Sequence, residues 1–305
     1  MKFIIYTPEY DENIGGIIVL HKLCHLLNEL GEEAYLWIHG EPPLDWKKNF
    51  FKSLFRVIKY DFFLRKKYIK KFRINESWNT PISKLFFFKN DFIVIYPEIY
   101  PGNPLNAKKI IRWLLYKPGE LGRSKNFTNG ELIFYYDEAF NDKNINKFNY
   151  KLKIIDFKRD IYFPKNDSKK KGFCYLMRKG ENREIIKKFD LSKGICIDGL
   201  SHEEISKIFN TTKYLISFDL YTMYTTYAAM CNCIPIIIPD ETISEMEWRR
   251  HEGTKYGKAY GCKLSQIKYA KKTRKNLINV VNKLEKNNIN EVKNFLKIVK
   301  NYFKR

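Results

Sequence analysis

The stretch Tyr214–Asp240, YLISFDLYTMYTTYAAMCNCIPIIIPD, carries the pattern that decides the fold. An apolar run ends at Phe218-Asp219, a polar turn and a small-residue stretch come next, and a second apolar run begins near Ile234. Two short apolar runs separated by a helical pattern predict a strand, a helix and a parallel strand. Asp219 is therefore expected at the carboxyl end of a strand, the edge where α/β sheets bind ligands.

The same alternation continues on both sides of this segment. Strands are predicted at Lys2–Tyr6, Ala34–Ile38, Phe92–Tyr96, Ile110–Leu115, Leu132–Tyr136 and Leu152–Ile155, and then at Phe173–Met177, Gly194–Ile197, Tyr214–Ser217 and Ile234–Ile238. Helices are predicted at Ile17–Leu30, Asn182–Phe189, His202–Asn210, Thr222–Met230 and from Ser265 onward. Two sets of alternating strands and helices predict the α/β class with two Rossmann-like domains.

A polar, lysine-rich stretch separates the two sets. Phe163–Gly172 (FPKNDSKKKG) has a proline near its start and is typical of a linker. We predict an N-terminal domain at 1–162, a linker at 163–171 and a C-terminal domain at 172–290. A basic helix at 291–305 is a candidate to pack back on the N-terminal domain.

The net charge of +22 is concentrated in two segments. Lys47–Arg73 holds eleven Lys/Arg against one acid, and Lys263–Arg305 holds thirteen against two, so the rest of the chain is nearly neutral. A regional basic surface suits an anionic partner: nucleic acid, an acidic membrane leaflet or a phosphorylated substrate. For the C-terminal segment, a solvated helix face is the alternative.

The segment Lys47–Arg73 also places apolar residues at helical spacing. These residues are Phe51, Leu54, Phe55, Ile58 and Phe62. The pattern indicates a basic amphipathic helix able to lie in a membrane interface. An ordinary helix packed on the first domain is the alternative, and the density of aromatic residues beside lysines favours the membrane.

Cysteine usage and the terminus bear on localisation. Only Cys231 and Cys233 are close among the six cysteines, which is not zinc-ligand spacing, and the usage is typical of a reducing compartment. The N-terminal apolar stretch is too short for a signal peptide, and no apolar run approaches the roughly 18 residues that span a bilayer. We expect a cytoplasmic protein that is also a candidate for peripheral association with the inner membrane.

A glycine pair comes after the first strand. Asn13-Ile14-Gly15-Gly16 precedes the first helix, and His21 lies on that helix. Glycines at such a junction let backbone N–H groups approach a ligand, and the helix N-terminus favours an anion. The G-x-G-x-x-G fingerprint is missing, which disfavours a nicotinamide or flavin enzyme.

Two cations and several hydroxyl groups are expected at the crevice of the second domain. Arg178 and Lys179 come after its first strand and could neutralise a diphosphate. Hydroxyl groups near the predicted helix start could bind sugar or phosphate oxygens. The expected donor-side residues after Asp219 are Tyr221, Thr222, Tyr224, Thr225 and Tyr227.

Tyr214–Asp240 resembles the donor-binding region of GT-B fold glycosyltransferases, which is often written E-x7-E. Asp219 falls on the first acid and Tyr227 on the second, whose carboxylate usually holds the nucleotide ribose. Ala228–Pro235 (AAMCNCIP) resembles the small-residue helix of that region and its Gly-x-Pro-type turn. The resemblance implies two Rossmann-like domains facing across a cleft and a nucleoside-diphosphate sugar as donor.

Other segments resemble the same family in the same order. Asn13–Gly16 with His21 resembles the acceptor-side glycine loop. Arg112–Gly119 (RWLLYKPG), which includes Lys117, resembles a segment common in bacterial surface-polysaccharide transferases, and Lys255–Gly261 resembles the segment directly after their donor site. The resemblance implies transfer to a saccharide or lipid-linked glycan in capsule or lipopolysaccharide synthesis.

The resemblance also implies chemical roles, with no metal and no cofactor. Arg178 and Lys179 would stabilise the departing phosphate, and Asp219 would hold sugar hydroxyls. An inverting enzyme needs a general base on the acceptor. The candidates by position are Glu98, Asp137 and His21. The likeness to E-x7-E enzymes favours retention, in which the leaving phosphate deprotonates the acceptor.

Two other classes are alternatives. Tyrosine at position 227 cannot accept a hydrogen bond as strongly as a carboxylate, which suits a GT-B-type nucleotide-sugar epimerase or a non-catalytic sugar-nucleotide-binding homologue. A nucleic-acid-binding protein is suggested by charge alone. We disfavour nucleic acid as a partner because the basic segments contain no recognisable DNA or RNA module.

Overall fold

A computed structural model of the chain describes residues 1–38, 51, 52, 55, 69–83, 92–119, 127, 130–165, 169–250 and 252–304. The chain divides into a first unit, Met1–Asp156 with Lys286–Arg305, and a second unit, Phe157–Glu285. In this division the expected linker at 163–171 falls within the second unit. The expected amphipathic helix at 47–73 lies almost entirely outside the described residues.

The first unit contains a six-stranded sheet in which every pair of strands is parallel. Its strands are β1 (Lys2–Thr7), β2 (Glu33–Ile38), β3 (Phe92–Pro97), β4 (Lys109–Leu114), β5 (Leu132–Tyr135) and β6 (Tyr150–Lys151). The spatial order is β2-β1-β3-β4-β5-β6. The order reverses between β1 and β3, as it does in Rossmann-like sheets.

Both faces of this sheet are buried, which explains the continuous apolar runs of its strands. Alternate residues such as Phe3 and Ile5 pack beneath α1 (Gly15–Glu29), while Ile4 and Tyr6 pack on the opposite face. The end of the C-terminal helix contributes Val292, Phe295 and Val299 to the first of these cores. One face of this end of the helix therefore packs on the core of the first unit.

The predicted strand at Leu152–Ile155 is wrong, although the segment is buried. Only Tyr150–Lys151 pairs as β6, and the chain then leaves the ladder. Side chains take over its backbone groups: the Trp113 indole donates to the Leu152 carbonyl at 3.1 Å, and the Asn288 amide exchanges two hydrogen bonds with Ile155. The Leu152 N–H still donates to the Tyr135 carbonyl of β5 at 2.9 Å, but side chains satisfy the Leu152 carbonyl and both backbone groups of Ile155.

The second unit contains a five-stranded parallel sheet with the order β11-β10-β9-β7-β8. Its strands are β7 (Lys171–Leu176), β8 (Ile195–Cys196), β9 (Thr212–Ser217), β10 (Ile234–Ile237) and β11 (Ala259–Tyr260). Its helices are α2 (His202–Thr211), α3 (Tyr224–Met230), α4 (Glu245–Trp248), α5 (Glu252–Lys255) and the first part of α6 (Leu264–Phe303). Together the two sheets confirm the predicted α/β class with two Rossmann-like units.

Local predictions in the second unit differ from the structure in several places, and the short helices α4 and α5 are among the elements that were not predicted. The predicted helix at Asn182–Phe189 is a short 3₁₀ segment at Glu184–Lys188. The helix predicted from Thr222 begins at Tyr224, because the Thr222 side chain accepts the Tyr224 N–H at 3.3 Å and turns the chain first. Strand β11 is not predicted, since two residues are too few to form a periodic pattern.

A buried ion pair fixes the loop after β3. The Arg112 guanidinium is fully buried and forks onto the Glu131 carboxylate at 2.7 and 2.9 Å. It also donates to the carbonyls of Pro97, Tyr100 and Gly102. One side chain thus satisfies three carbonyls of a loop that leaves the sheet edge.

We expect Arg112→Met to destabilise the first unit by about 3–5 kcal/mol, because it removes the buried cation that pairs with the Glu131 carboxylate. The double variant Arg112→Met/Glu131→Leu should recover part of the lost stability. It should remain less stable than the wild type, because the three loop carbonyls still lack their donor. Urea unfolding measures both variants. A single variant as stable as the wild type would show that the pair does not hold the loop.

Candidate functional site

The crevice of the second unit opens between β7 and β9. From these neighbouring strands the chain continues to β8 on one side and to β10 and β11 on the other. At such a switch point the loops after the two strands diverge and leave room for a ligand. Arg178 and Lys179 come after β7, and Asp219 comes after β9, so the structure brings these predicted residues to one edge.

The two loops touch at a glycine. A side-chain carbon at Gly180 would overlap the carbonyl group of Phe218, so only glycine permits this approach. Arg183, which the sequence analysis missed, ties the same edge together by donating to the carbonyls of Phe218 at 2.8 Å and Ile238 at 3.0 Å. Its role depends on carbonyls that are distant in sequence, so no local signal could have identified it.

Arg178 is held in an unusual conformation at the crevice. Its backbone φ is 42°, in the left-handed region that non-glycine residues seldom adopt. Its guanidinium lies 5.0 Å from the centre of the Tyr224 ring, a cation–π distance. The side chain is exposed, so the structure presents a cation whose position is set by a buried ring.

The ring beneath Arg178 belongs to a buried aromatic cluster. Tyr224 stacks on His202 with ring centres 5.6 Å apart, and the His202 Nδ1 lies 2.5 Å from the Tyr162 hydroxyl. Tyr227 stacks on Tyr162 at 4.2 Å with nearly parallel rings. The cluster comprises Tyr162, His202, Tyr224 and Tyr227.

Tyr227 therefore does not fit the expected role of a ribose contact. Only 4% of the residue is exposed, and its ring is enclosed by other rings of the cluster. At the start of α2, Ser201 forms a capping box with Glu204, while His202 enters the cluster. His202 and Tyr227 are both buried because rings from three segments that are separate in sequence stack on one another.

Asp219 is almost buried and shapes its own loop. One carboxylate oxygen accepts the Tyr221 N–H at 3.0 Å, which closes an Asx turn. Among the described residues, none donates to its second oxygen, Oδ2. The structure therefore leaves one oxygen of the predicted acid for a ligand.

Some of the hydroxyl groups after Asp219 form hydrogen bonds within the protein, and others are accessible. Thr225 is buried and donates to the Thr222 carbonyl at 2.8 Å, so its expected contact with a ligand does not fit. Tyr221 is exposed, Thr222 is half-buried, and Lys179 is exposed. These three remain accessible at the edge that carries Arg178.

The glycine pair of the first unit lies at its own switch point, between β1 and β3. The backbone at Gly15 and Gly16 begins α1, whose N-cap residue Ile14 provides no side-chain cap. A side-chain carbon at Gly15 would meet nothing within 4 Å, and one at Gly16 would lie 3.7 Å from Leu115. The Asn13 N–H is bound to Asp11 at 2.8 Å, and the exposed Lys117 lies after β4.

Glu98 comes directly after β3. Its carboxylate accepts the Leu115 N–H at 2.8 Å, and only 6% of the residue is exposed. Burial raises the pKa of the Glu98 carboxyl, although backbone hydrogen bonds oppose the shift. Gly16 and Glu98 thus both lie next to Leu115, as expected for residues that follow neighbouring strands of a parallel sheet. Asp137, another candidate base, pairs with Lys153 at 2.9 Å.

His21 does not fit the expected role as a base or an acceptor contact. Its ring is fully buried, Nε2 lies 3.0 Å from the Pro8 carbonyl, and the ring stacks against Phe72. Burial lowers the pKa of His21 to about 4. The residue faces the core from α1, an orientation that sequence spacing alone left open.

Within the described part of the chain, no three side chains of His, Cys, Asp or Glu form a group that could hold a metal ion. The six cysteines are free thiols. The features that could bind an anion are instead the exposed cations after β7 and the start of α1.

Comparison with known proteins identifies no relative by sequence: no family model and no curated protein matches the chain. Among solved structures it is similar to an alpha-glucosyltransferase in complex with UDP and a 13-mer DNA, with a TM-score of 0.47, 10% identity and coverage of 98% of this chain and 99% of that chain. It is also similar to Acinetobacter baumannii MurG (TM-score 0.37, 10% identity, 97% and 99% covered).

A sucrose-phosphate synthase from Thermosynechococcus elongatus is a third similar structure, with a TM-score of 0.38, 8% identity and coverage of 96% of this chain and 94% of that chain. At these TM-scores the likenesses decide neither fold nor function. The architecture rests on the two observed sheets, and the assignment of function rests on the residues at their edges.

The second unit also contains a buried lysine that the sequence analysis missed. Lys258 is 3% exposed, and its ammonium group donates to the Thr226 hydroxyl at 2.9 Å. Burial lowers the pKa of Lys258 to about 7. A single lysine in a mixed segment carries no sequence signal of burial.

This shift predicts a pH-dependent stability. Below pH 7 both folded and unfolded states hold the proton, so the full penalty of a buried charge applies. Between pH 7 and the ordinary value of 10.5 the unfolded state binds more protons, so stability rises with pH by up to about 1.4 kcal/mol per unit.

Lys258→Met should therefore be more stable than the wild type near neutral pH, with the difference shrinking toward pH 10. Urea unfolding at several pH values measures this, with the exposed Lys213→Met as the matched control. A difference that does not change with pH would contradict the assignment.

Proposed function

We propose that this chain is a metal-independent GT-B-type glycosyltransferase that moves a sugar from a nucleoside-diphosphate donor to a saccharide or lipid-linked glycan. The observation that carries the proposal is the edge of the second sheet. There Arg178, positioned by the Tyr224 ring, and Asp219, with one free carboxylate oxygen, lie after neighbouring strands at the switch point.

The chemistry of such a transfer suits this edge. Charge accumulates on the departing diphosphate as the bond to the sugar breaks, and fixed cations stabilise it. Arg178 and Lys179 are the exposed cations after β7 that would meet that charge. They would do what a bound metal does in other transferases, which is the basis for proposing a metal-independent enzyme.

The sugar would be held by Asp219, whose Oδ2 can accept hydrogen bonds from hydroxyl groups. Retention of configuration is the proposed outcome, with the leaving phosphate taking the acceptor proton. Inversion would instead need a base on the acceptor side, and Glu98 is then the candidate, because burial raises the pKa of its carboxyl toward the working pH.

The first unit would bind the acceptor. Gly15 and Gly16 begin a helix that lacks a side-chain cap, so their N–H groups can donate to an acceptor oxygen or an anionic group. Lys117 is exposed after β4 and adds a positive charge. Capsule or lipopolysaccharide synthesis is the proposed setting, with association at an anionic inner-membrane surface.

A second candidate is a GT-B-type epimerase or a homologue that binds sugar nucleotides without transfer. The burial of Tyr227 favours it, because the position that resembles the ribose-binding acid offers no group to a nucleotide. Both candidates require a nucleoside diphosphate at Arg178 and differ in whether an acceptor is consumed.

A panel of nucleotide sugars, with and without a lipid-linked glycan, tests the proposal. Release of nucleoside diphosphate only when acceptor is present supports transfer. Conversion of the nucleotide sugar without acceptor, or nucleotide-sugar binding with no turnover, supports the second candidate. Activity should persist in EDTA. A strict requirement for Mn²⁺ would contradict the metal-independent mechanism.

The donor site is tested in the same assay by Arg178→Gly. Glycine suits the left-handed backbone at this position, so the stability of the unliganded protein should change by no more than about 1 kcal/mol. Affinity for the nucleoside diphosphate, measured by thermal shift, should fall about tenfold to a hundredfold, since a charge-assisted hydrogen bond is lost.

Asn232→Gly is the matched control, because Asn232 also has a left-handed backbone, with φ of 62°, at the opposite edge of the sheet. Equal nucleotide affinity in Arg178→Gly and the control would overturn the donor-site assignment.

The acceptor site is tested by Gly15→Ala. The added methyl group meets no atom of the protein, and alanine favours a helix, so the fold should be as stable or slightly more stable. The kcat/KM for the acceptor should fall at least about tenfold when the methyl group blocks approach to the helix start. Gly253→Ala is the control, because it too adds a methyl group into open space. Unchanged kinetics in Gly15→Ala would place the acceptor elsewhere.

A further inference from the structure

The C-terminal helix α6 carries all nine of its lysines on one face. At about 100° per residue they fall within roughly a third of the helix circumference. These lysines, which we call the lysine stripe, are Lys268, Lys271, Lys272, Lys275, Lys283, Lys286, Lys293, Lys297 and Lys300. All nine are exposed.

The buried residues of α6 lie opposite the stripe. In the second unit the helix buries Ala270, Leu277 and Val281. In the first unit it buries Val292, Phe295 and Val299. At the same helical period these positions lie on the side away from the lysines. In each unit the core therefore contacts one face of α6, and the lysines project from the other.

The other charged residues of α6 lie off the stripe. Glu285 accepts the Phe157 N–H and pairs with Arg159, and Glu291 accepts from Asn287. Arg274 also falls on a different side of the helix by its spacing. Within the described part of the chain, no acid lies within ion-pair distance of a stripe lysine.

This distribution works against the helix itself. Lys268 and Lys272, Lys293 and Lys297, and further pairs stand three or four residues apart, where like charges destabilise a helix by about 0.2–0.5 kcal/mol per pair. An ordinary solvated face mixes both signs and gains from the pairs. Repulsion among these lysines lowers the stability of the helix, and no ion pair offsets it among the described residues. Destabilising features of this kind are expected at functional surfaces.

We propose that the lysine stripe is a docking surface for an anionic membrane leaflet. Charge complementarity is the argument: on the part of α6 that lies in each unit, a one-sided row of ammonium groups matches a surface of phosphate headgroups. The sector that holds the stripe contains no arginine to fork onto a base or phosphate and no aromatic ring to stack on a base. That composition favours a lipid surface over nucleic acid.

The docking is electrostatic adsorption rather than insertion. Along the described chain, no helix has both the length and the apolar character of a membrane span. Each lysine near an anionic surface contributes about 1 kcal/mol, and the attraction acts over a Debye length of about 10 Å at 0.1 M salt. Binding should therefore be strong at low salt and lost at high salt.

The experiment is co-sedimentation of the full chain with vesicles. We expect binding to vesicles that contain phosphatidylglycerol and none to pure phosphatidylcholine. The stripe variant replaces four lysines with glutamine, which keeps helix propensity: Lys286→Gln, Lys293→Gln, Lys297→Gln and Lys300→Gln. Its partition onto anionic vesicles should fall between about a hundredfold and a thousandfold.

A matched control removes the same charge from exposed lysines of other elements, with the substitutions Lys143→Gln, Lys147→Gln, Lys188→Gln and Lys207→Gln. The control should bind nearly as well as the wild type and keep its Tm, and the stripe variant should have a Tm equal to or slightly above that of the wild type, because like-charge pairs are removed. An equal loss in both variants would mean that only net charge matters and would overturn the proposal.

Two further outcomes would also overturn it. One is the absence of wild-type binding to anionic vesicles at low salt. The other is displacement of the wild type from vesicles by a single-stranded RNA oligonucleotide at equal phosphate concentration, which would make nucleic acid the preferred partner. The readout is lipid binding, so the result is independent of whether the chain transfers a sugar.

Discussion

In each unit the parallel sheet reverses its order at one pair of neighbouring strands, and the positions of the candidate sites depend on that reversal. On either side of the reversal the chain continues to strands in opposite directions, so the loops at the carboxyl ends of the two strands diverge. At β1 and β3 this places Gly16 and Glu98 next to Leu115, and at β7 and β9 it places Arg178 and Asp219 at the same edge of the sheet. The residues are far apart in sequence and are neighbours only because the strands are.

Side chains complete the backbone hydrogen bonding where the ladders end. Strand ends leave carbonyl groups without a partner strand, and a buried carbonyl needs a donor. Arg112 supplies it for the loop after β3, and Arg183 supplies it for the loops after β9 and β10. Asn288 on α6 does the same for Ile155. These contacts fix loops that carry candidate functional residues, which links the stability of each unit to its chemistry.

The aromatic cluster of the second unit links packing to the candidate donor site. Tyr227 and Tyr162 stack in its interior, while Tyr224 supports the Arg178 guanidinium at its edge. A carboxylate at position 227 would be buried among rings, where an unpaired charge is strongly unfavourable. Tyrosine rather than a carboxylate at position 227 is therefore compatible with this core. The same cluster holds the Arg178 guanidinium in place through the Tyr224 ring.

The sequence by itself determined the class of the fold, because apolar runs of four to six residues alternating with helical periods leave few arrangements other than parallel sheets. It also located Asp219, Arg178, Glu98 and the glycine pair at strand ends, since position after a strand is a local property. Tertiary structure alone decided which polar residues are accessible: His21 and Tyr227 are buried, and Arg183 and Lys258 bind distant groups. Burial and hydrogen-bond partners depend on segments brought together by folding, and no spacing in the sequence records them.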